Sequence, residues 1–169
     1  MSENLWHAFV IAFAVTCAIG DARWRKIPRA FTTCGVIAGL GFHFWKGDLA
    51  SAAAASFLGF AVGLAFFQLG AIGGGDVKLM AALGALLGME AWLVAMQIAV
   101  FVAATMAVVQ IFVRGAWRQT LRNMGEIVHA LGTQGLKAHP VVNVRNAAMI
   151  RAPFGVAAAF GTLFAVVTL

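Results

Sequence analysis

Two aspartates, Asp21 in IGDARWRKIP and Asp76 in IGGGDVKLMAALGALLG, stand where an apolar run meets a basic or glycine-rich one. A carboxylate beside lipid is costly and is usually kept for chemistry. The other four acids, Glu3, Asp48, Glu90 and Glu126, fall in a terminus, short turns or a polar segment. Two carboxyls that share a site do not both ionise easily, so one holds a proton while the other stays charged. Such a pair activates water: the charged member takes a proton from it as it attacks a peptide carbonyl. The protonated member donates toward the carbonyl oxygen and later helps the amine leave. Each residue also has a plainer reading. Asp76 at a helix start is a capping residue when taken alone, and Asp21 balances Arg23, Arg25 and Lys26.

The elements that must position these carboxyls are membrane helices. With 62% apolar and 11% charged residues among 169, the chain cannot fold as a water-soluble domain of this size. Apolar segments run from Leu5 to Gly20, Ala30 to Trp45, Leu49 to Ile72, Val77 to Met89, Ala91 to Val113 and Pro153 to Leu169. The expected fold is therefore all-α and polytopic, a single membrane-embedded domain over residues 1–169 with about six spans. Several spans fall below the ~20 residues of a full crossing, the fourth most of all, which implies thinning, covered ends or a water-filled notch. The first segment is preceded by Glu3 and lacks a cleavage site, so it reads as a retained span.

Orientation follows from the basic residues. With the N-terminus outside, Arg23, Arg25, Lys26, Arg29, Lys78, Arg114, Arg118, Arg122, Lys137, Arg145 and Arg151 are cytoplasmic and Lys46 alone is external. Asp21, at the inner end of span 1, and Asp76, at the inner start of span 4, then reach the same face. The net charge of +6 is a topology signal and a lipid-headgroup attraction, and nucleic acid is a poor reading of it. Between Arg114 and Arg151 lies a long polar segment. Trp117, Leu121, Met124, Val128 and Leu131 recur there at helical spacing opposite Arg114, Arg118 and Arg122, which predicts an amphipathic helix at the cytoplasmic interface.

Gly73, Gly74 and Gly75 precede Asp76 and predict an open, irregular corner with Asp76 in the first turn of the next helix. Irregular backbone at membrane depth needs protein or water to cover it, so an aqueous cleft beside Asp76 is expected. Gly and Ala at four-residue spacing in SAAAASFLGFAVGLAFF and AALGALLG predict close packing of spans 3 and 4. Cys17 and Cys34 form no CxxC pair, and His7, His43, His129 and His139 have no metal-ligand spacing. All six are read as packing or polar residues, with no metal and no cofactor. Trp6, Trp45 and Trp92 are read as an aromatic belt at the outer interface, and Glu90 as an exposed residue of a Met89-Glu90 turn.

DARWRKIP and GGGDVKLMAALGALLG resemble the two signature segments of the type IV prepilin peptidases, membrane aspartic peptidases of the GxGD kind. APFGVAAAFGTL resembles their Pro-aromatic-Gly segment opening the last helix. The resemblance implies removal of the short, basic leader from pilin precursors at the cytoplasmic face of the inner membrane. It implies Asp21 and Asp76 as the catalytic pair, with Lys78 near the site. Members that also methylate the new N-terminus carry a further region with paired CxxC motifs. This sequence has no such motifs and is similar to the compact, peptidase-only members associated with Flp pili or archaeal preflagellin. Arg29 stands where many relatives have Asn. On this reading the precursor's apolar helix docks on the small-residue faces of spans 3 and 4, and its scissile segment lies along the Gly73-Gly74-Gly75 corner. Two other readings stay open: a small proton- or cation-coupled transporter with Asp21 and Asp76 as its binding acids, and a non-catalytic assembly subunit of the same fold.

Overall fold

The computed structural model describes residues 3–24, 28–118, 120–122, 125 and 153–168. They form helices α1 (Glu3–Trp24), α2 (Arg29–Lys46), α3 (Leu49–Gln68), α4 (Gly74–Val113) and α5 (Phe154–Thr168). By length and composition α1, α3 and α4 are long and apolar enough to cross a membrane, and α5 is a shorter apolar helix. At 22 residues, α1 runs roughly 33 Å and continues one turn past Asp21, so the first span is not short.

Helix α4 is a reversed pair. Gly88 breaks it with φ 73° and ψ 177°, a backbone region that only glycine enters without strain. A Cβ there would also stand 3.2 Å from Ser51 Oγ and 3.3 Å from His43 Cε1. Trp92 Nε1 donates to the carbonyl of Met80 at 3.1 Å, although the two lie 12 residues apart. A straight helix would separate them by ~18 Å, so the chain must fold back at Gly88. Residues 74–87 and 89–113 are thus two limbs, and the described chain has the six apolar limbs expected. The reversal comes at Gly88 rather than at Met89-Glu90, and Glu90 is exposed but helical.

The first limb is the centre of the bundle. At ~21 Å it is shorter than the ~30 Å hydrocarbon layer. It need not match that thickness, because protein covers it: Val77 and every residue from Leu79 to Leu86 are buried. From Leu79 onward its sequence is apolar all round, the pattern of a fully enclosed helix. Neighbouring backbones approach closely where side chains are small. A Cβ on Gly84 would meet the backbone of Ala55 and Ser56, one on Gly59 the backbone of Met80, and one on Gly63 the Cα of Val77. Gly39 of α2 lies against the backbone of Ala85 and Leu86, and Gly161 of α5 against that of Ala95 in the second limb. The small-residue faces of spans 3 and 4 therefore hold each other. That corrects the expectation that a precursor helix docks on them.

Helices α1 and α2 meet through rings instead. Trp6 stacks on Phe42 with centroids 3.8 Å apart, and Phe13 stacks on Phe31 at 4.8 Å. Trp6 and Trp92 are buried and hydrogen-bonded to the carbonyls of Leu86 and Met80, so they are core residues rather than a lipid-interface belt. Trp45 is 71% exposed, as a belt residue should be. Cys17 is buried, whereas Cys34 is exposed and is not the core cysteine expected. His43 is buried, with Nε2 3.4 Å from the Leu86 carbonyl. Of the polar segment, Trp117, Arg118, Leu121 and Arg122 are exposed, with the Arg118 guanidinium 5.2 Å from the Trp117 ring centre. The expectations for Met124, Val128, Leu131 and the residues up to Arg151 lie outside the described residues.

This packing makes a stability difference measurable. Gly84→Ala puts a methyl into the Ala55 backbone and should cost about 1–3 kcal/mol, the usual cost of overpacking. Gly41→Ala, whose Cβ meets nothing within 4 Å, should leave the thermal unfolding midpoint in detergent unchanged or slightly raised. Equal midpoints for the two variants would contradict the close contact of α3 with the central limb.

Candidate active site

Asp76 is the third residue of α4. Gly73, extended at φ −82° and ψ 156°, is the N-cap, and its N–H donates to Asp76 Oδ2 at 3.0 Å. This is the reciprocal half of a capping box, the half in which a side chain reaches back to the cap backbone; a glycine has no side chain for the other half. Gly74 and Gly75 belong to the first helical turn. The irregular corner therefore lies upstream, over residues 69–73, with Gly70 at φ 73°. None of Gly73, Gly74 and Gly75 has a positive φ, which corrects the expectation of a three-glycine open corner. Space explains Gly73 better than conformational freedom does, since a Cβ there would stand 3.3 Å from Asp76 Oδ2. Gly74 is exposed, and its Cβ would make only an ordinary 3.6 Å contact with the Phe67 ring.

Asp21 lies in the last turn of α1. Its Oδ2 accepts the N–H of Gly155 at 2.7 Å, in the first turn of α5. Helix α5 packs against both α1 and α4 and so brings the two carboxyls to one end of the bundle. The two side chains lie within electrostatic range of each other. Both residues are half-buried. Each binds a backbone N–H through Oδ2, and neither Oδ1 makes a hydrogen bond to a described residue. Among the described residues no cation lies within ion-pair distance of either carboxyl. Lys78 is half-buried and pairs with neither; two residues beyond Asp76 on a helix, it projects from a different face. Each half-buried carboxyl thus has one oxygen committed to backbone and one with no partner among the described residues.

The opposite end of the bundle has its own polar cluster. The Leu86 carbonyl, left without a helical partner by the break at Gly88, accepts Trp6 Nε1–H at 3.2 Å, and Ser51 Oγ accepts the Met89 N–H at 2.9 Å. Lys46 pairs with Glu3 there. A cavity of about 120 Å³ beside Trp6, His7, His43 and Lys46 lies at this end, away from the aspartates. Among the described residues no three His, Cys, Asp or Glu side chains group to hold a metal.

Residues 8–108, well over half of the chain, match the model of the type IV leader peptidase family. The chain belongs to that family. It is an integral membrane protein of a peptidase family, and both aspartates fall inside the matched stretch. No curated protein and no solved structure matches. Gly155 lies beyond the matched stretch and was not among the site residues read from sequence. Its signal was the Pro-aromatic-Gly start of the last helix, a pattern that says where a helix begins but not what its first N–H groups face.

The cap at Asp76 separates from any chemistry by substitution. Asp76→Ala removes the acceptor for Gly73 and should lower stability by about 1 kcal/mol. Asp76→Asn keeps an acceptor and should unfold at the wild-type midpoint. A wild-type midpoint for Asp76→Ala in a detergent melt would show that the cap carries no stability.

Proposed function

We propose that this protein is a membrane aspartic endopeptidase that removes the short, basic leader from type IV, Flp-like pilin precursors, with Asp21 and Asp76 acting as one unit. The observation that carries this reading is that the two acids come within electrostatic range of each other. They come from helices far apart in sequence, at one end of the bundle, inside the stretch that matches the leader peptidase family. One carboxyl stays charged and takes the proton of the attacking water. The other, protonated, donates its proton to the carbonyl oxygen of the scissile bond, and the proton taken from the water then passes to the departing amine as the intermediate collapses. Both remaining Oδ1 atoms serve this work. Gly73, Gly74 and Gly75 leave bare backbone beside Asp76 for an extended substrate, and Lys78 is a neighbour of the site without an ion pair to it. The transporter reading has less support, because the two acids lie at a helix end and a helix start rather than at mid-span. The eleven-to-one distribution of basic residues favours the cytoplasmic face for the acids, the face on which this reading has leaders presented.

Asp21→Asn and Asp76→Asn should each slow precursor cleavage by about 100- to 10,000-fold, the range for loss of a general acid or base. Both should still insert and fold. A mass shift of purified precursor after incubation reads the outcome, and substantial processing by either variant would defeat the dyad. Topology is tested separately. Cysteines introduced at Lys46 and Glu90 should react with an impermeant thiol reagent added to intact cells, and cysteines at Gly74 and Gly125 should not; the reverse pattern would place the aspartates on the wrong face.

A further inference from the structure

Asp21 is tied to a helix other than its own, and the tie is built in detail. The Gly155 N–H reaches Asp21 Oδ2 at 2.7 Å, at the short end of the range for N–H donors to carboxylates. The donor sits in the first turn of α5, where N–H groups have no intrahelical acceptor and the helix presents partial positive charge. Pro153 precedes it with a fixed φ, and its carbonyl accepts the Val156 N–H at 3.2 Å, so the helix starts at a set place. Gly155 is buried, and a side chain does not fit: a Cβ would stand 2.8 Å from Asp21 Cβ and 3.0 Å from Oδ2. Six residues on, Gly161 lies against the backbone of Ala95 and fixes α5 on the second limb of α4. A rigid chain of contacts thus runs from Asp21 through α5 to the helix pair that carries Asp76.

We propose that Gly155 is a positioning residue for the dyad: through its N–H and its missing side chain it holds Asp21 in the one orientation in which Oδ1 works with Asp76. The inference rests on the peptidase reading above and adds a requirement to it. The placement of the last helix, outside the family-matched stretch, becomes a condition for turnover. Substrate binding does not depend on it, because Gly155 is buried behind Asp21.

Two measurements decide this, and the first needs no substrate. Amide hydrogen exchange at residues 154–157 in detergent should be at least ~10-fold faster in Asp21→Ala than in wild type, the effect of losing one charge-assisted bond. Asp21→Asn, which keeps an acceptor, should stay close to wild type. Unchanged exchange in Asp21→Ala would overturn the tie, even in a protein that cleaves no pilin precursor. Failure of wild type to cleave would instead sink the peptidase reading, and the catalytic half of this inference with it. In the second measurement, Gly155→Ala that unfolds at or near the wild-type midpoint should lose about 100-fold in kcat on a pilin precursor with KM within ~3-fold, the size of effect a ~1 Å misplacement has. A normal kcat, or a raised KM with kcat intact, would overturn the positioning role. Should Gly155→Ala fail to fold, the exchange measurement alone carries the decision.

Discussion

In lipid every backbone N–H and C=O must find a partner inside the protein, and the structure depends on meeting that demand at both ends of one short central helix. The first limb of α4 is too short to span and starts and stops within a crowded bundle. Its start is closed by Asp76 on the Gly73 N–H. At its end, Trp6 takes the Leu86 carbonyl and Ser51 accepts the Met89 N–H across the break at Gly88. Glycines on α2, α3 and the limb itself then let backbones close around it. Without these closures the limb would leave polar groups in hydrocarbon, each costing several kcal/mol.

The same demand shapes the candidate site. A helix start in a membrane favours a carboxylate, because its N–H groups are unpaired and its dipole is positive there. Two helix starts, those of α4 and α5, each hold one aspartate through one oxygen. Capping and chemistry are therefore not rival explanations for Asp76, as they look from sequence. A cap uses one carboxylate oxygen and fixes the rotamer, and a fixed rotamer is what a catalytic oxygen requires. The cap at Asp21 comes from the far end of the chain, which makes the site a property of the whole bundle.

Much of this was legible in the sequence. The all-α membrane class followed from composition, the six limbs from apolar runs, and the close packing of spans 3 and 4 from Gly and Ala spacing. What could not be read was how a residue far from Asp21 satisfies it, since the Gly155 contact bridges 134 positions and leaves no local periodicity. Trp6 and Trp92 differ from the expectation for a related reason: an indole near a helix end serves equally as a lipid anchor or as a donor to a buried carbonyl, and only the fold brings those carbonyls within reach. The glycines at 73–75 suggested an open corner, but a helix starts as readily on glycines when a reciprocal cap such as Asp76 supplies the missing partner.

The central claim is that residues 21 and 76 face one another across a single site. In a background with Cys17→Ser and Cys34→Ser, the pair Asp21→Cys and Asp76→Cys should be joined by a short bifunctional thiol reagent in native membranes. Asp21→Cys with Lys46→Cys, at opposite ends of the bundle, should not. Efficient joining of 21 to 76 alone is the predicted result, and failure to join them while both cysteines react with a monofunctional reagent would contradict the account.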